Sequence, residues 1–286
     1  MGPLFEGVDP LEDRGGVWAR ERANLNDLQE CFLCAGVTEY SNVEEFHAKR
    51  RMLDNLKQRV AYVPDTNLLY HGFLSKQGDL TFEDVVLVSS VQDEIEASLN
   101  YKYSDVQIAE MKRGALYQKH LVDVLRNRRM KSSRKAAYLA LRKYRRLRDR
   151  CPQIDSVMET GSDKERNDVV IAKTVSEYRK ENPVYPVLLT CDALMTDICE
   201  SEGLEHFLFK FPQSWETYDV DLGRLLELIR LTACTLGFLK VNNVAIIGEY
   251  GGKRSLDELR VTFPGARGDE FIRDLMMSRE LVKCFS

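Results

Sequence analysis

Val60-Ala61-Tyr62-Val63-Pro64-Asp65-Thr66-Asn67 decides the fold of this chain. A short apolar run closed by an acid and followed by helix-forming residues is the pattern of a buried strand handing over to a helix. Three further runs share that texture: Val85-Val86-Leu87-Val88, Val187-Leu188-Leu189 and Phe207-Leu208-Phe209. Helical stretches separate them. The alternation predicts an α/β fold in which helices cover a parallel sheet.

Asp65 therefore stands at the carboxyl end of a strand, the edge of an open parallel sheet where ligands bind. The same position suits an N-cap for the following helix, and both readings hold for a single Asp. Asp192, which closes Val187-Leu188-Leu189-Thr190-Cys191, repeats that geometry. Glu94 follows the second run; Ser90 and Asp93 fit a capping box, and Glu94 shares a stripe with Val91, Ile95 and Ser98. Asp168 opens an amphipathic helix and shares a face with Ile171, Ala172 and Val175. A carboxylate on a buried stripe is costly unless a cation pairs with it. Four acids on one sheet edge repel each other, and a divalent metal is the economical reason to gather them. Mg²⁺ or Mn²⁺ prefers such oxygen donors and, so held, activates a water for phosphodiester hydrolysis.

Taken in order, Asp65-Thr66-Asn67, Ser90-Val91-x-x-Glu94, Asn167-Asp168-x-x-Ile171 and Leu189-Thr190-x-Asp192 resemble the motifs of the PIN-domain nucleases over roughly residues 60–211. The resemblance implies a three-layer α/β/α fold and metal-dependent endonuclease action on RNA. It also implies that Asp65, Glu94, Asp168 and Asp192 are catalytic metal ligands, with the Thr190 hydroxyl beside them. Two departures stand out. Seventy-three residues separate Glu94 from Asp168, more than a compact member needs, and both ends carry additions. Asp163 and Asp197 lie near the matched positions; Asp197 reads as an exposed helix acid or an extra ligand.

The excess between Glu94 and Asp168 is itself informative. Residues 103–150 are helix-forming, with Ala137, Ala140, Leu141, Tyr144 and Leu147 as an apolar stripe, and read as a helical excursion from the sheet domain. Between Arg126 and Arg150 the chain carries twelve Lys or Arg and one acid, a local +11 that leaves −15 elsewhere to reach the total of −4. Charge runs are commonly solvated faces, but those mix signs. Arg126, Arg128, Arg129, Lys131, Arg134, Lys135, Arg142, Lys143, Arg145 and Arg146 instead suggest a phosphate-backbone footprint for single-stranded or structured RNA.

Residues 1–59 read as an N-terminal helical extension, 60–211 as the nuclease-like domain with its insertion, and 212–286 as a small α+β region. That last region has a helix from Leu222 to Leu239, strands at Val244–Ile247 and Leu259–Phe263, and a closing helix from Asp269. Gly248 to Arg254 superficially resembles a phosphate-binding loop, but its glycine spacing is one short and Arg replaces Ser or Thr, so a hairpin turn is the better reading. Cys31-x-x-Cys34 with His47 has no second ligand pair at zinc-finger distance and reads as packing. His71, His120 and His206 stand alone.

The chain's 286 residues are about twice a usual domain. With 44% hydrophobic residues, 17 Gly and 8 Pro, collagenous and disordered classes are excluded. An odd count of seven scattered cysteines argues against a secreted disulfide framework and for a cytoplasmic setting. No basic-plus-apolar leader is evident, and no apolar run approaches the roughly 18 residues of a membrane span, so no membrane partner is expected. A homo-oligomer is left open. Three functions compete: a metal-dependent endoribonuclease, a non-catalytic RNA-binding or assembly module on the same fold, and a structure-selective DNA nuclease.

Overall fold

The computed structural model describes residues 16–72, 80–115, 119–158, 164–212, 220–263 and 268–285. Its elements run α1 (Val17–Glu21), α2 (Leu25–Ala35), α3 (Val43–Leu53), β1 (Arg59–Pro64), α4 (Thr66–His71), β2 (Leu87–Val88), α5 (Ser89–Ala97), α6 (Asp105–Gly114) and α7 (Lys119–Val122). Then come α8 (Lys131–Lys135), a π-helical segment (Ala136–Leu141), α9 (Arg142–Arg148), β3 (Gln153–Ile154), α10 (Lys164–Glu181), β4 (Val184–Thr190), α11 (Ala193–Ser201) and β5 (Glu205–Leu208). The chain closes with α12 (Leu222–Leu236), β6 (Phe238–Val241), β7 (Val244–Ile247), β8 (Arg260–Thr262) and α13 (Gly268–Phe285).

The apolar runs pair in parallel as their texture predicts. β4 lies between β1 and β5, with Arg59 opposite Val184 and Leu189 opposite Phe207. On the free side of β1, the Tyr62 N–H donates to the Asp84 carbonyl and the Val86 N–H to Tyr62, bringing the β2–β3 pair alongside. The strand order is thus β3-β2-β1-β4-β5, all parallel, and the order reverses between β1 and β4.

Period-two alternation divides the side chains of β1 and β4 between two faces. Ala61, Val63 and Leu188 join Val91, Ile95, Ile171, Val175 and Met195 of α5, α10 and α11 on one side. Tyr62, Val187, Leu189 and Phe207 pack with Leu33, Phe46 and Leu68 of α2, α3 and α4 on the other. The result is a mixed α/β fold with helices on both faces of a parallel sheet.

The second half of the segment expected as a helical excursion packs into the core, while its first half forms a cluster with Val17 of α1. Ala136, Ala140, Leu141, Tyr144 and Leu147 enter the sheet's own core, Leu139 meets α2 and α12, and Ala137 and Tyr138 meet Cys234. All six residues of the π-helical turn are buried. A helix that is apolar all round belongs inside.

In the C-terminal region the expected helix to Leu239 stops at Leu236. Gly237, at φ 93°, turns the chain into β6, which pairs antiparallel with β7, as β7 does with β8. The Gly248–Arg254 loop joins antiparallel strands, as a turn should. Among the described residues no helix is long and apolar enough to cross a membrane.

Candidate functional site at the sheet's carboxyl edge

Asp65 and Thr190 end neighbouring strands at the point where the strand order reverses, and they are bonded to each other. The Thr190 hydroxyl donates to Asp65 Oδ2 at 2.6 Å and accepts the Asp192 N–H at 2.9 Å. Both side chains are closed off from solvent, Asp65 at 3% exposure and Thr190 at 0%. Asp65 Oδ1 accepts the Leu68 N–H at 2.9 Å and so caps α4. Asp192 caps α11 through the Leu194 N–H at 3.1 Å. The cap and edge readings of these aspartates therefore coexist: one carboxylate starts a helix and meets a hydroxyl from the adjacent strand.

Glu94 is tied into the same edge one residue further on, because the Thr66 hydroxyl donates to its Oε2 at 2.7 Å. It is half-buried beside Val91 and Ile95, as its stripe predicts. The helix that carries it differs from expectation. α5 begins at Ser89 with no side-chain cap of its own; the Ser90 N–H donates to Ser156 Oγ at 2.9 Å, and Ser90 Oγ is buried without a partner among the described residues. The Ser90–Asp93 capping box is absent, and a serine beyond β3 replaces it.

Asp168 lies in the second turn of α10, which starts at Lys164 rather than Asn167, and is half-buried beside Ile171, Ala172 and Val175. Asp168 and Asp65 both lie within electrostatic reach of Cys199 of α11. Burial pushes that thiol up to about 12, and the negative charges of Asp65 and Asp168 add to the shift. Asp197 is exposed, and Asp163 lies outside the described residues.

Hydrogen bonds thus link Asp65, Thr190 and Asp192, and Thr66 with Glu94, at the ends of β1 and β4, while Asp168 stands on α10 within electrostatic reach of Cys199. The oxygens of the four acids are the donor type that Mg²⁺ or Mn²⁺ takes, and Mg²⁺ commonly binds through one or two carboxylates with waters completing its shell. The set fits in kind. Among the described residues no three His, Cys, Asp or Glu side chains form a ready ion-binding group.

A cleft of about 730 Å³ opens beside this edge, lined by Thr66, Asn67 and Glu94 together with Glu30, Lys131 and Lys135. Two of the basic residues read as a phosphate footprint therefore reach the site, but not as free cations. Lys131 Nζ pairs with buried Asp27 at 2.9 Å, and Lys135 Nζ with Glu30 at 2.7 Å. Burial holds the Glu30 carboxyl above its ordinary range, opposed by Lys135. Sequence gave no signal for Asp27 and Glu30, which sit on a helix remote in the chain.

Most other members of the basic run have partners within the chain, some buried and some on the surface. Arg134 is 1% exposed and donates to the carbonyls of Thr235 and Arg129 and to the Tyr103 hydroxyl, so it is a core residue rather than a phosphate ligand. Lys131, also buried, is held by Asp27 rather than presented to a phosphate. Arg126 pairs with Asp105 and Asp123, Arg142 with Asp257, and Arg129 with Glu249, while Lys143 reaches Cys34 Sγ at 2.7 Å. Arg145 and Arg146 are exposed on α9. Cys31 and Cys34 pack in the core beneath α12, and burial pushes the Cys31 thiol up to about 12. His71 is buried and bonded through Nδ1 to the Tyr40 hydroxyl at 2.5 Å.

The fold and site define a class only coarsely: a parallel α/β domain with acids at its topological switch point. The chain matches no protein-family model and no curated protein. Among solved structures it is similar to a domain of a functionally unknown protein from Methanocaldococcus jannaschii DSM 2661, at 14% identity and a TM-score of 0.35, over 57% of this chain and 99% of that one. At that score the likeness carries no argument about this chain.

Proposed function

We propose that this protein is a metal-dependent endoribonuclease of PIN-like type, acting at the carboxyl edge of its parallel sheet. The observation that carries the reading is the Thr190–Asp65 hydrogen bond across the strand-order reversal, the crevice where open α/β sheets bind ligands. Asp65, Glu94, Asp168 and Asp192 are the residues that would hold Mg²⁺ or Mn²⁺. When bound, that ion would supply an activated water and charge stabilisation for the leaving oxygen. Thr190 fixes the Asp65 carboxylate by donating to one oxygen while the α4 amide holds the other. Thr66 orients Glu94 in the same manner. The cleft beside them admits substrate, with Arg145 and Arg146 among the exposed cations of the insertion open to phosphates.

A second reading, a non-catalytic binding module on the same fold, is favoured by one observation: Asp65 and Asp192 both serve as helix caps. Cleavage of end-labelled single-stranded RNA and DNA in Mg²⁺, Mn²⁺ or EDTA separates the two. Asp65→Asn and Asp192→Asn keep a capping side chain, because Asn caps about as well as Asp. Each removes one negative charge. The nuclease reading requires wild-type cleavage that EDTA stops and both variants lose while remaining folded. Full activity in either variant across a metal titration removes that residue from the site, and no cleavage of either polymer in any metal leaves the binding module.

A further inference from the structure

Away from the carboxylates, Arg128 and Arg129 in the middle of the insertion meet the loop between β7 and β8 around a second pocket of about 300 Å³. Four of its lining residues are cations, Arg128, Arg129, Lys253 and Arg254, against one acid, Glu249. Glu249 is already engaged. It accepts the Tyr138 hydroxyl and faces Arg129 at 3.5 Å. The cations are less completely served: Arg128 Nε is buried without a hydrogen-bond partner among the described residues. An unsatisfied buried donor on a charged group is costly, and a ligand that accepts from it is the direct remedy.

The loop between β7 and β8 is shaped around that guanidinium. A Cβ at Gly251 would lie 2.9 Å from Arg128 Nη2, so a side chain there would push the end of the arginine away from the loop backbone. Gly252, at φ 78°, then makes a turn that other residues rarely adopt. The Arg254 N–H is fixed by Glu258 at 2.7 Å. Lys253 Nζ is held 2.7 Å from the Gly248 carbonyl and 3.1 Å from the Tyr138 hydroxyl, and its ammonium lies over the Tyr138 ring. Burial holds that ammonium below its ordinary range, opposed by Cys234 and Glu249 and aided by the Arg230 and Arg129 charges.

We infer that this pocket is a binding site for a phosphate monoester. Guanidinium forks match phosphate oxygens in pairs, and a monoester carries about −1.5 to −2 at neutral pH. That charge meets the pocket's excess of positive side chains better than a carboxylate's single one. The volume exceeds that of a phosphate alone, and Tyr250 and Leu256 provide an aromatic and an apolar wall for the group attached to it. The site is independent of the carboxylate edge and of the nuclease reading.

Titration calorimetry on the full chain tests it with inorganic phosphate, adenosine 5′-monophosphate and a short oligonucleotide with or without a 5′-phosphate, against acetate at matched ionic strength. Phosphate-bearing probes are expected to bind at least tenfold more tightly than acetate. A nucleotide that binds while the oligonucleotides do not identifies a free small ligand; preference for the 5′-phosphorylated strand identifies a strand end. Gly251→Ala should weaken binding at least tenfold with an unchanged circular dichroism spectrum, because only the mobile end of Arg128 must move. Arg128→Gln should do the same, and Asp65→Asn should bind as wild type does. Equal binding of acetate and phosphate, or wild-type affinity in both Gly251→Ala and Arg128→Gln, overturns the assignment.

Discussion

Replacing Thr190 with Val deletes one hydroxyl and little volume, yet that hydroxyl holds two groups at once. It donates to Asp65 Oδ2 at 2.6 Å and accepts the Asp192 N–H at 2.9 Å, with Asp65 and Thr190 buried and Asp192 half-buried. A hydrogen bond to a charged group contributes about 1.5–3 kcal/mol, and a buried amide left without an acceptor costs about 1–3 kcal/mol. Thr190→Val should therefore destabilise the protein by at least about 2.5 kcal/mol. At about 2–4 °C per kcal/mol, that corresponds to a melting-temperature drop of roughly 5–10 °C. Thr190→Ser keeps the hydroxyl and loses a methyl group, a cost of about 1 kcal/mol. Urea denaturation followed by circular dichroism measures both. A valine variant within about 1 kcal/mol of wild type, or a serine variant that falls as far as valine, would show that the hydroxyl does not tie β1 to β4.

Three other outcomes follow from the same geometry. Asp27→Ala leaves Lys131 buried without its counter-charge and should cost about 3–5 kcal/mol, whereas Asp27→Leu combined with Lys131→Met should cost less than the two single changes together; strict additivity in the denaturation cycle refutes the pairing. If the exposed Arg145 and Arg146 contact phosphates, changing both to Gln should leave stability within about 0.5 kcal/mol and flatten the log–log salt dependence of single-strand binding by about 1.4, while Arg134→Gln destabilises the fold. An unchanged salt slope removes those two residues from any nucleic-acid surface. In the folded protein iodoacetamide at pH 8 should label half-buried Cys191 ahead of Cys199 and Cys151, whose thiols burial pushes up to about 12 and about 11; mass mapping that finds Cys199 modified as quickly refutes that ordering.

The strands and the placement of the acids were legible because each depends on local pattern. An apolar run of four or five residues ending in Asp fixes both a buried strand and the edge at which the carboxylate emerges. The face of Glu94 was likewise readable from Val91 and Ile95. What escaped is nonlocal. Nothing near Ser90 announces that Ser156 replaces its capping box, since that contact spans 66 residues. The run from Arg126 to Arg150 looked like a single-signed surface because several of its counter-charges, Asp27, Glu30, Glu249 and Asp257, come from distant segments. β6 was hidden inside an apolar stretch whose helical period gave no warning of the break at Gly237.

The pairing of β1 with β4 also sets an order of events at the ribosome. Asp65 and Thr190 are 125 residues apart, so at about 5–20 residues per second the first strand emerges some 6–25 seconds before its central partner. During that interval Val60-Ala61-Tyr62-Val63 is a nascent apolar strand whose β4-side edge is unpaired, the kind of segment that associates with other chains. The central helix emerges before β4, so Ala136–Leu141 is available to cover the strand's inner face while the sheet is still open. The long connection between β1 and β4 would then serve as an intramolecular shield for a nascent chain whose sheet closes late.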